Sequence, residues 1–117
     1  MKAKYDISKS ASFVKLCISI FHPKWVKYIK KVKIVNATKR QKEFPDIAIY
    51  EVPDNVITIY RIRNQVDLIK TLLHEYAHTI NYALNKDLSH STKWRSILNQ
   101  LLIPFKEIHK GKLNGRF

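Results

Sequence analysis

The sequence predicts an α+β fold: an N-terminal helix, a small antiparallel sheet of about three strands, a long helix and a C-terminal helix. Three observations carry that reading. Apolar residues recur at helical steps near the N-terminus and again, over a longer span, from Val66 onward. Between these two stretches lie three short runs rich in β-branched residues, separated by polar or turn residues. The 117 residues fit one domain, residues 1–117.

The first helix is predicted from Phe13, Leu16, Cys17, Ile20 and Phe21, which fall at i, i+3, i+4, i+7 and i+8 and so share one face. Ser10 or Ser12 is the expected cap, and Pro23 the stop. Trp25, Tyr28, Ile29 and Val32 then predict a short second helix or a direct lead into a strand over 32–35. Residues 36–45 read as a polar loop. Runs 47–52 and 56–62 flank the turn residues Pro53-Asp54-Asn55 and predict an antiparallel hairpin. From Asn64, an expected N-cap, the period changes. Val66, Ile69, Leu73, Ala77, Ile80 and Leu84 form the apolar stripe of a long helix ending near Asn85. After a loop over 86–89, Trp94, Ile97, Leu98, Leu101 and Leu102 predict a last helix that stops at Pro104. The tail beyond Ile108, with Gly111 and Gly115, is expected to fray.

Composition narrows the function. The net charge is +13 and the pI is near 10.0, which points to an acidic partner: nucleic acid first, an anionic membrane surface second. The charge is uneven along the chain. Residues 1–42 carry +11, residues 43–90 carry −3 and residues 91–117 carry +5. The lone Cys17 excludes an internal disulfide framework and a cysteine-only zinc site. No stretch of about 18 uncharged apolar residues exists, so no transmembrane helix and no membrane partner are expected. Lys2, Lys4 and Lys9 before an apolar run imitate a secretory signal, but Lys15 interrupts the run and no small-x-small cleavage site follows. The chain is expected to be intracellular, in the cytoplasm, or in the nucleus if the source is eukaryotic, and not secreted.

The long helix carries His74-Glu75-Tyr76-Ala77-His78, an H-E-x-x-H motif. Histidines four apart stand one turn from each other on one face, so both rings can grip one zinc ion at about 2.0–2.1 Å. Glu75 is rotated by about 100° from His74, near the metal without binding it, where a general base for a metal-activated water belongs. The composition would produce such a pattern by chance in about one chain in a hundred. Catalytic zinc needs a third protein ligand and an open position. His90, twelve residues after His78 and past a short polar loop, can turn back to the metal. His22 sits at a proline turn among lysines and His109 lies in the tail; both read as surface residues. Glu107 is a possible substitute ligand, but it lies behind Pro104.

His74-Glu75-x-x-His78, then His90-Ser91-Thr92-Lys93-Trp94 opening an apolar helix, resembles the SprT-like (Spartan-type) zinc metalloprotease domain. The order of elements agrees over nearly the whole chain; the specific motifs cover residues 74–94. The resemblance implies a minimal zincin-like fold and a Zn2+ centre held by His74, His78 and His90. It implies peptide hydrolysis with Glu75 as general base, and protein substrates bound or crosslinked to DNA. Two departures stand out. Family members often have glycine where this chain has Ser91, and many carry a zinc ribbon or further DNA- and ubiquitin-binding modules, so this chain reads as a bare catalytic domain. Lys24, Lys27, Lys30, Lys31 and Lys33, interleaved with Trp25 and Tyr28, suit phosphate contact by the lysines and base stacking by the two aromatics. A strand over 56–62 is expected to pair with an extended substrate segment. The rival readings are a non-catalytic zinc-containing nucleic-acid-binding module and a zinc hydrolase of another substrate class. Oligomeric state is not readable.

Overall fold

The computed structural model describes residues 6–37, 47–62 and 64–108. Its elements run α1 (Ile7–Phe21), α2 (Val26–Ile29), β1 (Lys33–Asn36), β2 (Ala48–Glu51), β3 (Val56–Ile59), α3 (Gln65–Asn85) and α4 (Thr92–Ile108). This is the predicted α+β order. Among the described residues, no helix is long and apolar enough to cross a membrane.

Helix α3 is the central element and packs against α1, α2, α4 and β2. Asn64 caps it as expected: its side-chain oxygen accepts the Asp67 N–H at 2.9 Å. Leu68, Leu72, Leu73, Tyr76, Ala77 and Ile80 bury its apolar stripe. They meet Val14 and Ile18 of α1, Ile57 and Ile59 of β3, and Leu101 and Phe105 of α4 in one continuous core.

The cap and the buried face of α1 differ from expectation. Asp6 is the N-cap and accepts the Lys9 N–H at 2.9 Å. Ser10 is buried instead and accepts a 3.0 Å hydrogen bond from the Gln65 amide, tying α1 to the first residue of α3. The side facing the core is Ala11, Val14, Cys17 and Ile18. Leu16, Ile20 and Phe21 are 59%, 65% and 53% exposed. More than one face of this helix is apolar, so periodicity alone admits two stripes; the smaller one lets α1 approach α3 closely. Phe13 reaches sideways to an edge-on contact with Phe105, ring centroids 5.9 Å apart.

The sheet order is β1-β3-β2. β2 and β3 form the expected antiparallel pair, with Ile49 opposite Thr58, around a turn in which Asn55 adopts φ 59°. Asparagine tolerates this left-handed conformation, and its Oδ1 accepts a 2.6 Å bond from the Tyr50 hydroxyl. β1 corrects the expectation of a wholly antiparallel sheet: it runs parallel to β3, Ile34 opposite Ile57. Alternation along a strand fixes its buried face but neither its neighbour nor its direction. The same topology overturns the pairing assigned to 56–62. β3 is bonded on both sides, so among the described residues the sheet's free edges belong to β1 and β2. Most of the expected loop over 36–45 and the tail beyond Ile108 lie outside the described residues.

Helix α4 does not stop at Pro104 but continues to Ile108. Proline lacks the N–H that would bond the carbonyl four residues earlier, that of Gln100. His22 supplies the replacement: its Nε2 lies 3.0 Å from the Gln100 oxygen and donates to it. Phe105, fully buried, holds the continuation in place.

Candidate metal centre

One turn of α3 places the rings of His74 and His78 4.9 Å apart between centroids. The loop after α3 returns His90 to them, its ring 5.1 Å from His74 and 4.8 Å from His78. One nitrogen from each of the three rings lies within 4.8 Å of the others, a group able to hold a metal ion. His90 Nε2 and His74 Nε2 are 3.3 Å apart. That is the edge, about 3.3–3.4 Å, of a tetrahedron with zinc–nitrogen bonds of 2.0–2.1 Å. His78 is buried, His74 half-buried and His90 exposed, so the group opens to solvent on the His90 side.

Trp94, in the first turn of α4, closes the other side. Its ring lies 4.8, 5.1 and 4.5 Å from the rings of His74, His78 and His90. Its indole N–H donates to the His74 carbonyl at 3.4 Å. One buried aromatic thus packs against two histidines from α3 and one from the loop.

What aims that loop is Asp87, which sequence reasoning passed over as part of a polar stretch. Lys86 ends α3 in the left-handed conformation, φ 54°, and turns the chain. Asp87 Oδ1 then accepts the Ser89 N–H at 2.9 Å and the Ser89 hydroxyl at 2.6 Å. Its Oδ2 accepts the Ser91 hydroxyl at 2.7 Å and the amide of the buried Asn81 at 3.3 Å. These bonds bracket His90 on both sides and hold the Asp87 carboxyl well below the usual carboxylate range. The available signal was Asp-x-Ser-x-Ser immediately after a helix end, the chemistry of side-chain-closed turns.

Two of the rings, His74 and His78, are in the state a metal requires. Burial, and then the charge of His90, pushes His74 down to about 4. Burial pushes His78 down to about 4 as well, reinforced by His74 and His90 and opposed by Asp87. Both are therefore neutral near pH 7, with lone pairs available. Among the described residues, His78 Nδ1 is buried with no hydrogen-bond partner. Such an atom costs about 1–3 kcal/mol when left unsatisfied, a cost that a metal ion would remove by binding Nδ1 itself. Donor chemistry, spacing and protonation all fit a borderline metal such as zinc.

Glu75 sits beside the cluster. It is 5% exposed, and its Oε2 lies 3.9 Å from His74 Nε2. It is not one of the three grouped ligands. Thr79, one turn on, bonds its hydroxyl to the Glu75 carbonyl at 3.0 Å.

Residues 25–110 match the SprT-like family, about three-quarters of the sequence. The chain belongs to the SprT-like family. It is thus a metalloprotease-like domain whose three clustered histidines could bind a metal. Neither a curated protein nor a solved structure matches the chain.

Within this SprT-like domain, the Ser91 hydroxyl makes a bond to Asp87 that glycine could not make. Tyr76 is fully buried, and burial drives its phenol well above the ordinary tyrosine range, so it is a packing residue. His22 is engaged with Gln100 and Trp25, away from the metal cluster. His109 and the side chain of Glu107 lie outside the described residues.

Lys24, Lys27, Lys30, Lys31 and Lys33 are all exposed. Trp25 and Tyr28 are partly buried and pack against the core. Trp25 also stacks on His22, with centroids 4.9 Å apart and planes at 21°. The aromatic interleaving is therefore packing, and the lysines are what the segment presents to solvent.

Proposed function

We propose that this chain is a zinc-dependent endopeptidase acting on DNA-associated or DNA-crosslinked proteins inside the cell. The observation that carries the reading is the convergence of His74, His78 and His90 around Trp94 with a buried carboxylate, Glu75, 3.9 Å from His74. A zinc ion held by the three imidazoles would supply an acidified water and polarise the scissile carbonyl. Glu75 takes the proton from the attacking water and returns it to the leaving nitrogen. A purely structural metal site has no use for such a carboxylate, which disfavours a non-catalytic module. An extended substrate segment adds to the free edge of β2, the strand that packs nearest α3. The exposed lysines at 24, 30 and 33 supply phosphate contacts that bring the domain to DNA.

The test is cleavage of a DNA-binding protein with no DNA, single-stranded DNA or double-stranded DNA, alongside measured zinc content. Wild type is expected to cleave and Glu75→Gln to retain zinc without cleaving. Zinc-replete wild type with no Glu75-dependent cleavage under any of the three conditions sinks the peptidase reading. Turnover indifferent to DNA removes only the targeting.

A further inference from the structure

A cleft of about 460 Å³ runs beside α3, between it, α2 and the β2–β3 turn. Lys27, Lys31 and Lys86 line it, together with Tyr28, Tyr50 and Tyr82. Among the described residues, no carboxylate lines it. Asp87, next in sequence to Lys86, is committed to the His90 loop. Three ammonium groups in one concavity repel one another, and an anion that enters relieves all three at once.

The cleft is aligned with the proposed catalytic carboxylate. Thr79, Tyr82, Ala83 and Lys86 contribute to its wall, and they follow Glu75 by 4, 7, 8 and 11 residues, the steps of one helix face. Thr79 therefore lies about 6 Å and Lys86 about 16 Å along the axis from Glu75. An extended chain advances roughly 3.3 Å per residue, so the cleft lies about two to five residues from a bond at Glu75.

We propose that this cleft is a subsite for an acidic side chain, Asp or Glu, of the polypeptide being cleaved; its role in cleavage rests on the peptidase reading above. Nucleic acid fits it less well. Base stacking needs open aromatic faces. Here Lys27 Nζ lies 5.1 Å from the Tyr28 ring centroid and Lys86 Nζ 5.0 Å from that of Tyr82, so ammonium groups already cover those rings. A carboxylate needs only the ammonium groups and the Tyr28 and Tyr82 hydroxyls, since the Tyr50 hydroxyl is committed to Asn55.

The experiment uses the full zinc-loaded chain and fluorogenic peptides identical except for Glu, Gln or Lys at each position two to five residues either side of the cleaved bond. Wild type is expected to show kcat/KM about tenfold higher for the Glu peptide than for the Gln peptide at one such position. The triple variant Lys27→Glu/Lys31→Glu/Lys86→Glu should invert the preference toward the Lys peptide. Identical Glu-to-Gln ratios in wild type and variant, with circular dichroism showing both folded, overturn the proposal. A second arm needs no turnover: anisotropy of labelled hexaglutamate and of a labelled single-stranded oligonucleotide on Glu75→Gln protein. Adding the triple reversal should weaken hexaglutamate at least tenfold, and more than reversal of three exposed lysines elsewhere, Lys9, Lys93 and Lys106. Equal weakening by both triples overturns the subsite. So does loss of oligonucleotide binding alone, which makes the cleft a nucleic-acid seat. Lysine-dependent hexaglutamate binding, with wild type cleaving none of the peptides, supports the acidic site and refutes the peptidase reading by itself.

Discussion

Replacing Asp87 by alanine tests whether His90 is held for the metal or merely lies near it. Three of the donors to Asp87 come from Ser89 and Ser91, the residues on either side of His90. A fourth comes from Asn81, buried in α3. Without the carboxylate the loop keeps its length but loses its tie to the helix, so binding a metal must order it. Groups that orient metal ligands are typically worth about 10- to 100-fold in affinity, and that is the expected loss. Competition against a chromogenic zinc chelator near neutral pH reads it, with circular dichroism to show that α3 and α4 persist. A charge effect must be separated from a tether effect, since removing an anion near a cation also weakens binding. Asp87→Asn makes the separation: it removes the charge and keeps one acceptor oxygen, so it should fall between wild type and Asp87→Ala. Ser91→Gly, which removes one donor, should cost only severalfold. If Asp87→Ala binds zinc like wild type, or Asp87→Asn is as weak as Asp87→Ala, the tether argument is wrong.

Metal-free protein should lose stability as pH falls. His74 and His78 protonate near 4 when folded but near 6.5 when unfolded, so their contribution is complete above 6.5 and is lost progressively toward 4 as the unfolded chain takes up the protons. Urea unfolding at pH 7 and pH 5 measures this, and equal midpoints would refute it. His22→Ala should destabilise by about 1 kcal/mol through loss of the bond to Gln100. That loss should shrink in a Pro104→Ala background, where the helix can satisfy its own carbonyl; an unchanged loss in the double-mutant cycle would show that His22 acts otherwise. Trp94→Phe retains a ring against the three histidines but drops the N–H donated to the His74 carbonyl. It should cost about 1 kcal/mol by thermal melt and leave zinc stoichiometry at one per chain, whereas loss of zinc would make the indole N–H part of ligand positioning.

What the sequence made legible is what local chemistry determines. Asn64 caps α3 where a side-chain oxygen meets the start of an apolar stripe, and the H-E-x-x-H spacing alone puts two rings on one face. His90 could be chosen because few other donors were within reach of the turn. The misses are places where tertiary context chooses among locally equal options. In α1 two apolar stripes compete, and proximity to α3 selects the one with smaller residues. In the sheet, β1 takes a parallel place beside β3 that no alternation pattern encodes. Pro104 would end a helix lacking an outside donor, but His22, 82 residues earlier, provides one. Asp87 was hidden because its role depends on four bonds from three residues, each commonplace alone.

Helix α3 does three jobs on three faces, which explains how so short a chain can carry a site. Leu72, Leu73, Tyr76, Ala77 and Ile80 bury the core face. His74 and His78 turn toward His90 and Trp94. Glu75, Thr79, Tyr82 and Lys86 lie along the third, where the cleft begins. That third face also revises the meaning of the charge distribution. Residues 43–90 carry −3 and supply α3, while residues 1–42 carry +11. A linear view separates catalysis from charge. The fold does not, because α2 packs on α3 and brings Lys27 and Lys31 to the cleft beside Lys86. The basic N-terminal segment therefore divides: two lysines line the cleft, while Lys24, Lys30 and Lys33 stay outside it. Reversal of the cleft set and reversal of the outer set should thus affect different assays, peptide preference for the first and salt-sensitive DNA affinity for the second. If both sets altered DNA affinity equally and neither altered peptide preference, the charge would belong to one continuous nucleic-acid surface and the division would fail.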